Sequence, residues 1–368
     1  SWQVVGLFGL GALGVLVFIL VEKRAQEPIL PFDLFANPTF VLGNSGALLI
    51  AGVAFFGAIV FLPIYMVLVV GASASAAGLT VMPLTLGLVV SSFACGQIVS
   101  RLGKFKLLLL IGAVLVFAGY WTMTGLTTHT TRAMMTWRMI LLGVGMGPAL
   151  PIYLLAVQNS VNPHEMGAAT SSSQFFRQIG STVGVAIFGT ILAATLAAQL
   201  PKYLPPEMQK SGAAAISFNV GQLESGNFGA VEDQIRTEMQ GTYATIEAAI
   251  LKGDAAARES ALADPRLPSA VKDLVRNGGA AAQAALPQIK ASLDAEAGRV
   301  TDQVTGALKS AFTDAVTRVY FWGLFVVALG FLATLFLPEL ALRKTRGAAH
   351  AAAGEGAGPA PSPAASES

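Results

Sequence analysis

The sequence has one cysteine, three histidines and few charged residues, and these shortages exclude several classes of function. Cys95 stands alone in an apolar run, which leaves no disulfide framework and no thiolate metal site. The histidines, at positions 129, 164 and 350, lie too far apart in the sequence for the spacing of metal ligands. No HExxH, GxSxG or phosphate-loop motif occurs. We therefore expect no enzyme activity, no metal and no cofactor, and the net charge of +2 indicates no nucleic-acid partner.

Charge is scarce and unevenly distributed along the chain. Charged residues make up 12% of the sequence and hydrophobic residues 54%, and residues 34–100 contain no Asp, Glu, Lys or Arg. One helix needs about 20 apolar residues to cross the hydrocarbon, so this stretch alone predicts at least two crossings. Further charge-free stretches lie at 2–21, 107–131, 139–164, 178–201 and 319–338. The lipid bilayer is therefore the main solvent of this chain.

The apolar stretches predict an all-α integral membrane fold, because backbone polar groups cannot remain unpaired in lipid. Helix one occupies residues 1–21, helices two to six lie within 41–200, and the last helix occupies 319–341. The individual spans are placed at 2–21, 41–66, 77–100, 106–126, 134–157, 168–197 and 319–341.

Basic residues in the short loops indicate the orientation of these spans. Only Arg132 lies in the short loops of one side, whereas the other side collects Lys23, Arg24, Arg101, Lys104, Lys106, Arg343, Lys344 and Arg346. The pattern predicts a multi-pass protein of the cell (plasma or inner) membrane with a cytoplasmic C-terminus. Residues 22–40 then form a cytoplasmic connector resting on the headgroups, and residues 342–368, rich in Ala, Gly, Pro and Ser, form a disordered cytoplasmic tail.

The long polar segment, residues 201–318, is predicted to be an extracytoplasmic, Ala-rich helical loop. It holds 12 Lys and Arg against 14 Asp and Glu, and long loops cross the membrane largely regardless of charge. Residues 284–318 predict one long helix that continues into the last span, with a stripe of apolar residues at helical spacing from Ile289 to Val316. The loop is interpreted either as a hairpin that buries its own stripe or as a cap or docking surface.

Arg177 is the most unusual residue of the sixth span, because a charge at that depth usually faces a bundle interior or a water-filled cavity. Polar and small residues share its helical face: Thr170, Ser173, Gln174, Ser181 and Gly184. This stripe predicts the wall of a substrate path, and Asn44 and Gln158 are further amides that could line it. Alternatively, Arg177 extends its side chain to the cytoplasmic surface and the amides join helices.

Small residues and prolines interrupt the fifth span. Gly143, Gly145 and Gly147 precede Pro148 and Pro151. Glycines let helices approach closely and prolines bend them, so the segment predicts either a flexible helix of a transporter or tight packing in a static bundle.

A short basic loop follows the third span and carries a recognisable pattern. Gly96, Arg101, Gly103 and Lys104 match the cytoplasmic loop motif G-x-x-x-D-R-x-G-R/K of the major facilitator superfamily. Ser100 stands where the motif has an acid. The glycines suit a tight turn, and the two basic residues are expected to steady a cytoplasmic gate.

Three longer segments extend this likeness. Residues 61–87, 138–151 and 157–189 resemble the C-terminal half of the EmrB/QacA-type fourteen-span drug:proton antiporters. The EPILPFDLF connector after the first span and the closing segment FLPELALRK resemble it too. The resemblance covers residues 1–200 and 319–345 and leaves out the long loop. It implies a C-terminal six-helix bundle preceded by one transmembrane helix, with the N-terminal bundle of the same chain missing from this piece.

The resemblance also implies a function. A protein of this kind exports amphipathic organic compounds or drugs by alternating access, driven by protons, so its partners are a small organic substrate, protons and the bilayer. No Asp or Glu lies in the interior of a span, and the nearest, Glu165 and Glu339, lie at span ends. In the family, the proton-exchanging acids are mostly placed in the N-terminal bundle. The alternative is a non-transporting membrane scaffold or receptor that binds a partner through residues 201–318.

Overall fold

A computed structural model describes residues 2–22, 32–203, 240–263 and 269–339, together with the single residues 24, 237 and 267. Every regular element in these residues is helical. The α-helices are α1 (Trp2–Glu22), α2 (Pro38–Gly46), α3 (Phe55–Leu68), α4 (Ala74–Thr80), α5 (Met82–Leu102), α6 (Lys106–Met123), α7 (Arg132–Met146), α8 (Ala149–Asn159), α9 (Met166–Tyr203), α10 (Ala255–Ala263), α11 (Ser269–Asn277) and α12 (Gly279–Phe336). The middle of the connector and the C-terminal tail lie outside the described residues.

Seven helical stretches are long and apolar enough to cross a membrane, which confirms the seven predicted spans. Five of them are assembled from consecutive elements or extend beyond the bilayer thickness. The stretches are Val5–Glu22, Pro38–Leu68, Ser75–Leu102, Lys106–Met123, Arg132–Asn159, Pro163–Tyr203 and Gly279–Phe336.

The six later spans form a bundle, and α1 lies beside it. In the bundle α5 packs on α7, α7 on α6, α6 on α12, and α12 on α9. The span 38–68 closes the arrangement by packing against α9, α12 and α8. Helix α1 is almost entirely exposed, and its Phe18 ring stacks 6.0 Å from Phe175 of α9.

The second span begins with a defined cap and changes its helical pitch halfway. The Asn37 side chain accepts a hydrogen bond from Thr39 N, and Pro38 occupies the first turn, where its missing N–H costs nothing. Residues Ala47–Ala54 then form a π-helix before α3 resumes the α-helical pitch. π-Helical segments are rare and locally reshape the face that a helix presents.

Glycines bring this π-helical segment into direct backbone contact with α9. A Cβ built on Gly52 would lie 2.7 Å from the carbonyl oxygen of Arg177 and 2.9 Å from the Cα of Gly180. A Cβ on Gly184 would lie 2.7 Å from the Cα of Val53. Small residues at such crossings are the usual means by which membrane helices approach closely, since lipid offers no hydrophobic driving force.

The long loop contains its own small core, and the last helix leads from it into the bundle. This core is formed by side chains of residues 240–263, which include α10, of α11 and of the first turns of α12. Its buried residues include Ile246, Val275, Leu286 and Ile289. Helix α12 is continuous from Gly279 to Phe336, as the apolar spacing predicts. It ends before the predicted residue 341, because Leu337 precedes Pro338 and adopts an extended conformation.

Candidate transport path and its polar residues

A polar stripe lies on the surface of α9 that the bundle leaves uncovered. Gln174, Gln178, Thr182 and Thr190 are all exposed and follow one another at intervals of four or eight residues. Thr182 and Thr190 direct their hydroxyls back to helix carbonyls, whereas the amides of Gln174 and Gln178 extend outward. The stripe therefore places two exposed amide side chains, Gln174 and Gln178, on this surface of α9.

Arg177 lies at the edge of this stripe and is held by one of its amides. Its Nε and one terminal nitrogen donate to Gln174 Oε1 at 3.1 and 2.6 Å. Among the described residues no carboxylate pairs with this guanidinium. A positive charge whose local partner is an amide can still bind an anionic or strongly polar group.

The other predicted members of the path are divided between two surfaces. Ser173 and Ser181 are buried, and Gly184 lies in the packed contact with the second span. Gln158 and Thr170 meet directly: Gln158 Nε2 donates to Thr170 Oγ1 at 2.8 Å and joins α8 to α9. The residues that share this helical face of α9 are therefore divided: some lie on an exposed polar edge, and the others lie in contacts between helices.

Asn44 lies inside the bundle on α2, with 3% of its surface exposed. Its Nδ2 donates to the carbonyl oxygen of Phe40 at 3.0 Å, and its Oδ1 has no hydrogen-bond partner in the described structure. A buried acceptor without a donor is costly, so this position is suited to a water molecule or a moving donor.

The predicted flexible segment of the fifth span is divided at Gly147 and Pro148, between α7 and α8. Its three glycines are also contact points: a Cβ on Gly145 would lie 2.6 Å from Val116 N, and Cβ atoms on Gly143 and Gly147 would overlap α5. Pro148 and Pro151 have no N–H and leave carbonyls of the preceding turn without their helical donor. The segment therefore combines a helix break with tight packing on both sides.

The cytoplasmic loop motif forms the end of α5. Gly103 caps the helix with φ of 67°, and its N–H donates to Val99 O at 2.9 Å. That left-handed conformation favours glycine, which explains the residue. Gly96 has open space around it, and Arg101 and Lys104 are exposed.

Two buried tyrosines were missed by the sequence analysis. Tyr120 of α6 and Tyr320 of α12 donate hydrogen bonds to the carbonyl oxygens of Ala54 and Ala58, one turn apart on the second span. Their rings meet edge to face with centroids 5.4 Å apart. The bonds lie where the π-helix gives way to α3, so they stabilise that change of pitch. Tyrosines inside apolar spans were the available signal, because a buried phenol needs a partner.

Arg138 was also missed, although it is a basic residue within the fifth span. It lies on α7 and donates to the carbonyl oxygen of Gly125 at 3.4 Å. Its guanidinium carbon lies 5.7 Å from the centre of the Trp137 ring. The charge itself was the signal, since an ionisable residue within a span points to function.

Comparison with known proteins agrees with this architecture. The family model of the Major Facilitator Superfamily matches residues 1–185. The chain is 32% identical over 342 residues to Multidrug transporter protein MdtP of Bacillus subtilis (strain 168), covering 93% of this chain and 54% of that protein. It is 35% identical over 191 residues to Multidrug resistance protein 3 of the same organism, covering 52% and 37%.

A further relative is the Tetracycline resistance determinant of Streptomyces rimosus, 34% identical over 203 residues, which are 54% of this chain and 57% of that protein. The chain spans about half the length of the relatives it matches. An alignment over 93% of this chain must run through residues 201–318, where the sequence analysis found no resemblance. Fold, spans and family model agree, and the chain belongs to the Major Facilitator Superfamily.

Proposed function

We propose that this chain supplies the C-terminal six-helix bundle, with one preceding span, of a proton-driven exporter of amphipathic organic compounds that works by alternating access. The names of the relatives, which include multidrug and tetracycline resistance proteins, support export of such compounds. The protein would lie in the plasma (inner) membrane with its C-terminus in the cytoplasm, as the basic residues of the short loops indicate. Its role is transport rather than catalysis.

The polar stripe on α9 is the observation that carries this proposal. Gln174, Arg177 and Gln178 lie together on a face of α9, beside the exposed apolar side chains Phe175, Ile179 and Val183. Such groups are costly against lipid and characteristically face a cavity or another part of a protein. The stripe would line one wall of a central cavity, and the N-terminal bundle would supply the opposite wall.

An amide and guanidinium wall suits a broad range of substrates. The apolar side chains beside it, Phe175, Ile179 and Val183, are exposed and would contact rings and alkyl groups. The amides would offer both donors and acceptors to whatever polar group the substrate carries. Proton coupling is inferred from the family likeness. Residues 41–66, 77–100, 106–126, 134–157, 168–197 and 319–338 contain no Asp or Glu, so the proton-exchanging acids are assigned to the N-terminal bundle.

Two features of the bundle would support its movement. The break at Gly147 and Pro148 allows α7 and α8 to change their mutual angle. The π-helical segment Ala47–Ala54 abuts α9 and is fixed by Tyr120 and Tyr320, so it transmits a displacement of α9 to α6 and α12. Arg101 and Lys104 would contact the opposite bundle at the cytoplasmic gate.

The test is export of ethidium, a cationic amphipathic dye, from energised cells that produce the whole transporter. Arg177→Ala should lower the export rate several-fold, because it removes the charged group of the stripe, while the amount of protein in the membrane stays the same. Arg132→Ala, at the exposed start of α7, removes an equal charge and should export normally. Addition of an uncoupler should stop export by the unmodified protein.

Unchanged ethidium export by Arg177→Ala at equal protein level would refute the assigned role of the stripe. Export that persists after collapse of the proton gradient would refute proton coupling. These two results are independent, so the cavity wall and the energy source are tested separately.

A further inference from the structure

The guanidinium of Arg177 has one edge occupied and its end open. Nε and Nη2 both donate to Gln174 Oε1, at 3.1 and 2.6 Å, so the edge that these two atoms share is taken. Nη1 forms no hydrogen bond with the described residues, and Nη2 carries a second N–H that points away from Gln174. The pair Nη1 and Nη2 at the end of the group therefore remains available to another acceptor.

This end of Arg177 is accessible, because the side chain lies at the edge of an exposed face of α9. Arg177 is half-buried, and its neighbours Gln174 and Gln178 are exposed. Among the described side chains, enclosed nitrogens without a hydrogen bond belong to Arg138 and Arg258, and none belongs to Arg177. A group that approaches α9 from outside the bundle can therefore reach this guanidinium.

The membrane spans of the bundle supply no negative charge for Arg177. Lys106, Arg138 and Arg177 are the charged residues of the stretches 41–66, 77–100, 106–126, 134–157, 168–197 and 319–338. Gln174 is neutral, and a charge within a membrane span usually pairs with a charge of opposite sign or faces a polar cavity. The anionic partner of Arg177 therefore comes from outside these spans.

We propose that Arg177 binds an anionic group of the substrate, so that the exporter accepts amphipathic compounds that carry a carboxylate. Nη1 and Nη2 hold the two carboxylate oxygens, which is the planar geometry that arginine offers to such a group. Gln174 keeps the guanidinium oriented, and Phe175 and Ile179, exposed on the same helix, contact the apolar part of the compound. This inference rests on the proposed function, because it assigns a substrate class to the same stripe.

The experiment compares two dyes that differ in one carboxylate. Rhodamine B carries the carboxylate, and rhodamine B ethyl ester has the same rings with that group esterified. Export of each dye is measured from energised cells that produce the whole transporter, at equal protein level in the membrane. Arg177→Gln removes the charge but keeps an amide beside Gln174, and Arg132→Gln removes an equal charge at the exposed start of α7.

The expected result is that the unmodified protein and Arg132→Gln export both dyes. Arg177→Gln should lower the export of rhodamine B about tenfold more than that of the ester, because a hydrogen bond to a charged group contributes at least this factor. Equal losses for the two dyes overturn the inference and indicate an anionic partner of Arg177 outside the substrate, such as an acid of the N-terminal bundle. Export of the ester but not of rhodamine B by the unmodified protein also overturns it.

Failure of the inference and failure of the proposed function give different results. The first leaves ethidium export by the unmodified protein intact, whereas in the second ethidium and both rhodamines remain in the cells. If Arg177→Gln does not reach the membrane, Arg177→Ala decides through the ratio of the two export rates. The release of Gln174 in that variant affects both dyes alike, so a lower ratio of rhodamine B to ester supports the site and an unchanged ratio overturns it.

Discussion

The hydroxyl of Tyr153 on α8 lies 2.5 Å from Thr334 Oγ1 on α12, and both side chains are buried. Thr334 donates onward to the carbonyl oxygen of Gly330, one turn earlier, which leaves its oxygen free to accept from the tyrosine. The Tyr153 ring occupies the space that Gly46 leaves by lacking a side chain. This relationship joins three spans at one point inside the bundle.

The first prediction concerns that hydrogen bond. Tyr153→Phe and Thr334→Val should each lower the free energy of unfolding by about 1 kcal/mol, within the range of single hydrogen bonds between membrane helices. Because both remove the same interaction, the double variant should lose less than the sum. Reversible unfolding in mixed micelles measures these differences. Thr190→Val, at an exposed position, is the control, and additive losses at residues 153 and 334 would contradict the coupling.

The second prediction concerns the contact between α9 and the second span. Gly180→Val should greatly reduce the amount of folded protein, because any Cβ at this position would overlap Leu48 O and lie 3.2 Å from the Cα of Gly52. Gly189→Val, nine residues later on the same helix, meets no atom within 4 Å and should be tolerated. Fluorescence-detected size-exclusion chromatography reports both outcomes. Equal yields of the two variants would show that the helices can separate without cost.

The third prediction distinguishes a transporter from a scaffold that uses the long loop. Leu200 near the end of α9 packs against Val304 and Ala307 of α12, so the two helices already meet below the loop. Replacing residues 206–298 by a short Gly-Ser linker should therefore preserve the bundle. Ethidium export should persist, because the polar stripe is untouched. The linker variant carrying Arg177→Ala provides the negative control.

Complete loss of export by the linker variant, with normal membrane levels, would favour the scaffold alternative or an essential role of the loop in transport. The apolar stripe of the loop is divided between two packings. Ile289 and Leu293 lie in the loop's own core around Ile246 and Val275, whereas Phe312 and Val316 pack in the core of the bundle.

Much of the architecture was predictable because it depends on local properties of the chain. A stretch of about 20 residues without charge forms a membrane helix in almost any surroundings, so seven spans could be counted directly. The continuity of α12 follows in the same way from an unbroken apolar spacing over Ile289 to Val316. Even its end at Phe336 has a local cause, namely Pro338.

The polar residues of the candidate path depended on information that the sequence does not contain. Helical periodicity placed Ser173, Gln174 and Arg177 on neighbouring positions, but it could not show which of them meets another helix. The contact of Gly184 with Val53 draws Ser181 into the interior and leaves Gln178 exposed, although Gln178 had not been singled out. Small residues on a membrane helix are also typical of positions where two helices pack closely, so they do not by themselves indicate a substrate path.

The sequence by itself determined that this is a helical membrane protein of seven spans with a large polar loop, because hydrophobicity and charge act residue by residue. The tertiary structure alone decided that Tyr120 and Tyr320 meet on one helix, that Asn44 is buried with a free acceptor, and that two guanidinium nitrogens of Arg138 are buried without a hydrogen bond in the described part of the chain. These are relations between residues distant in the chain, and only the packing of complementary helix surfaces brings them together or leaves them unpaired.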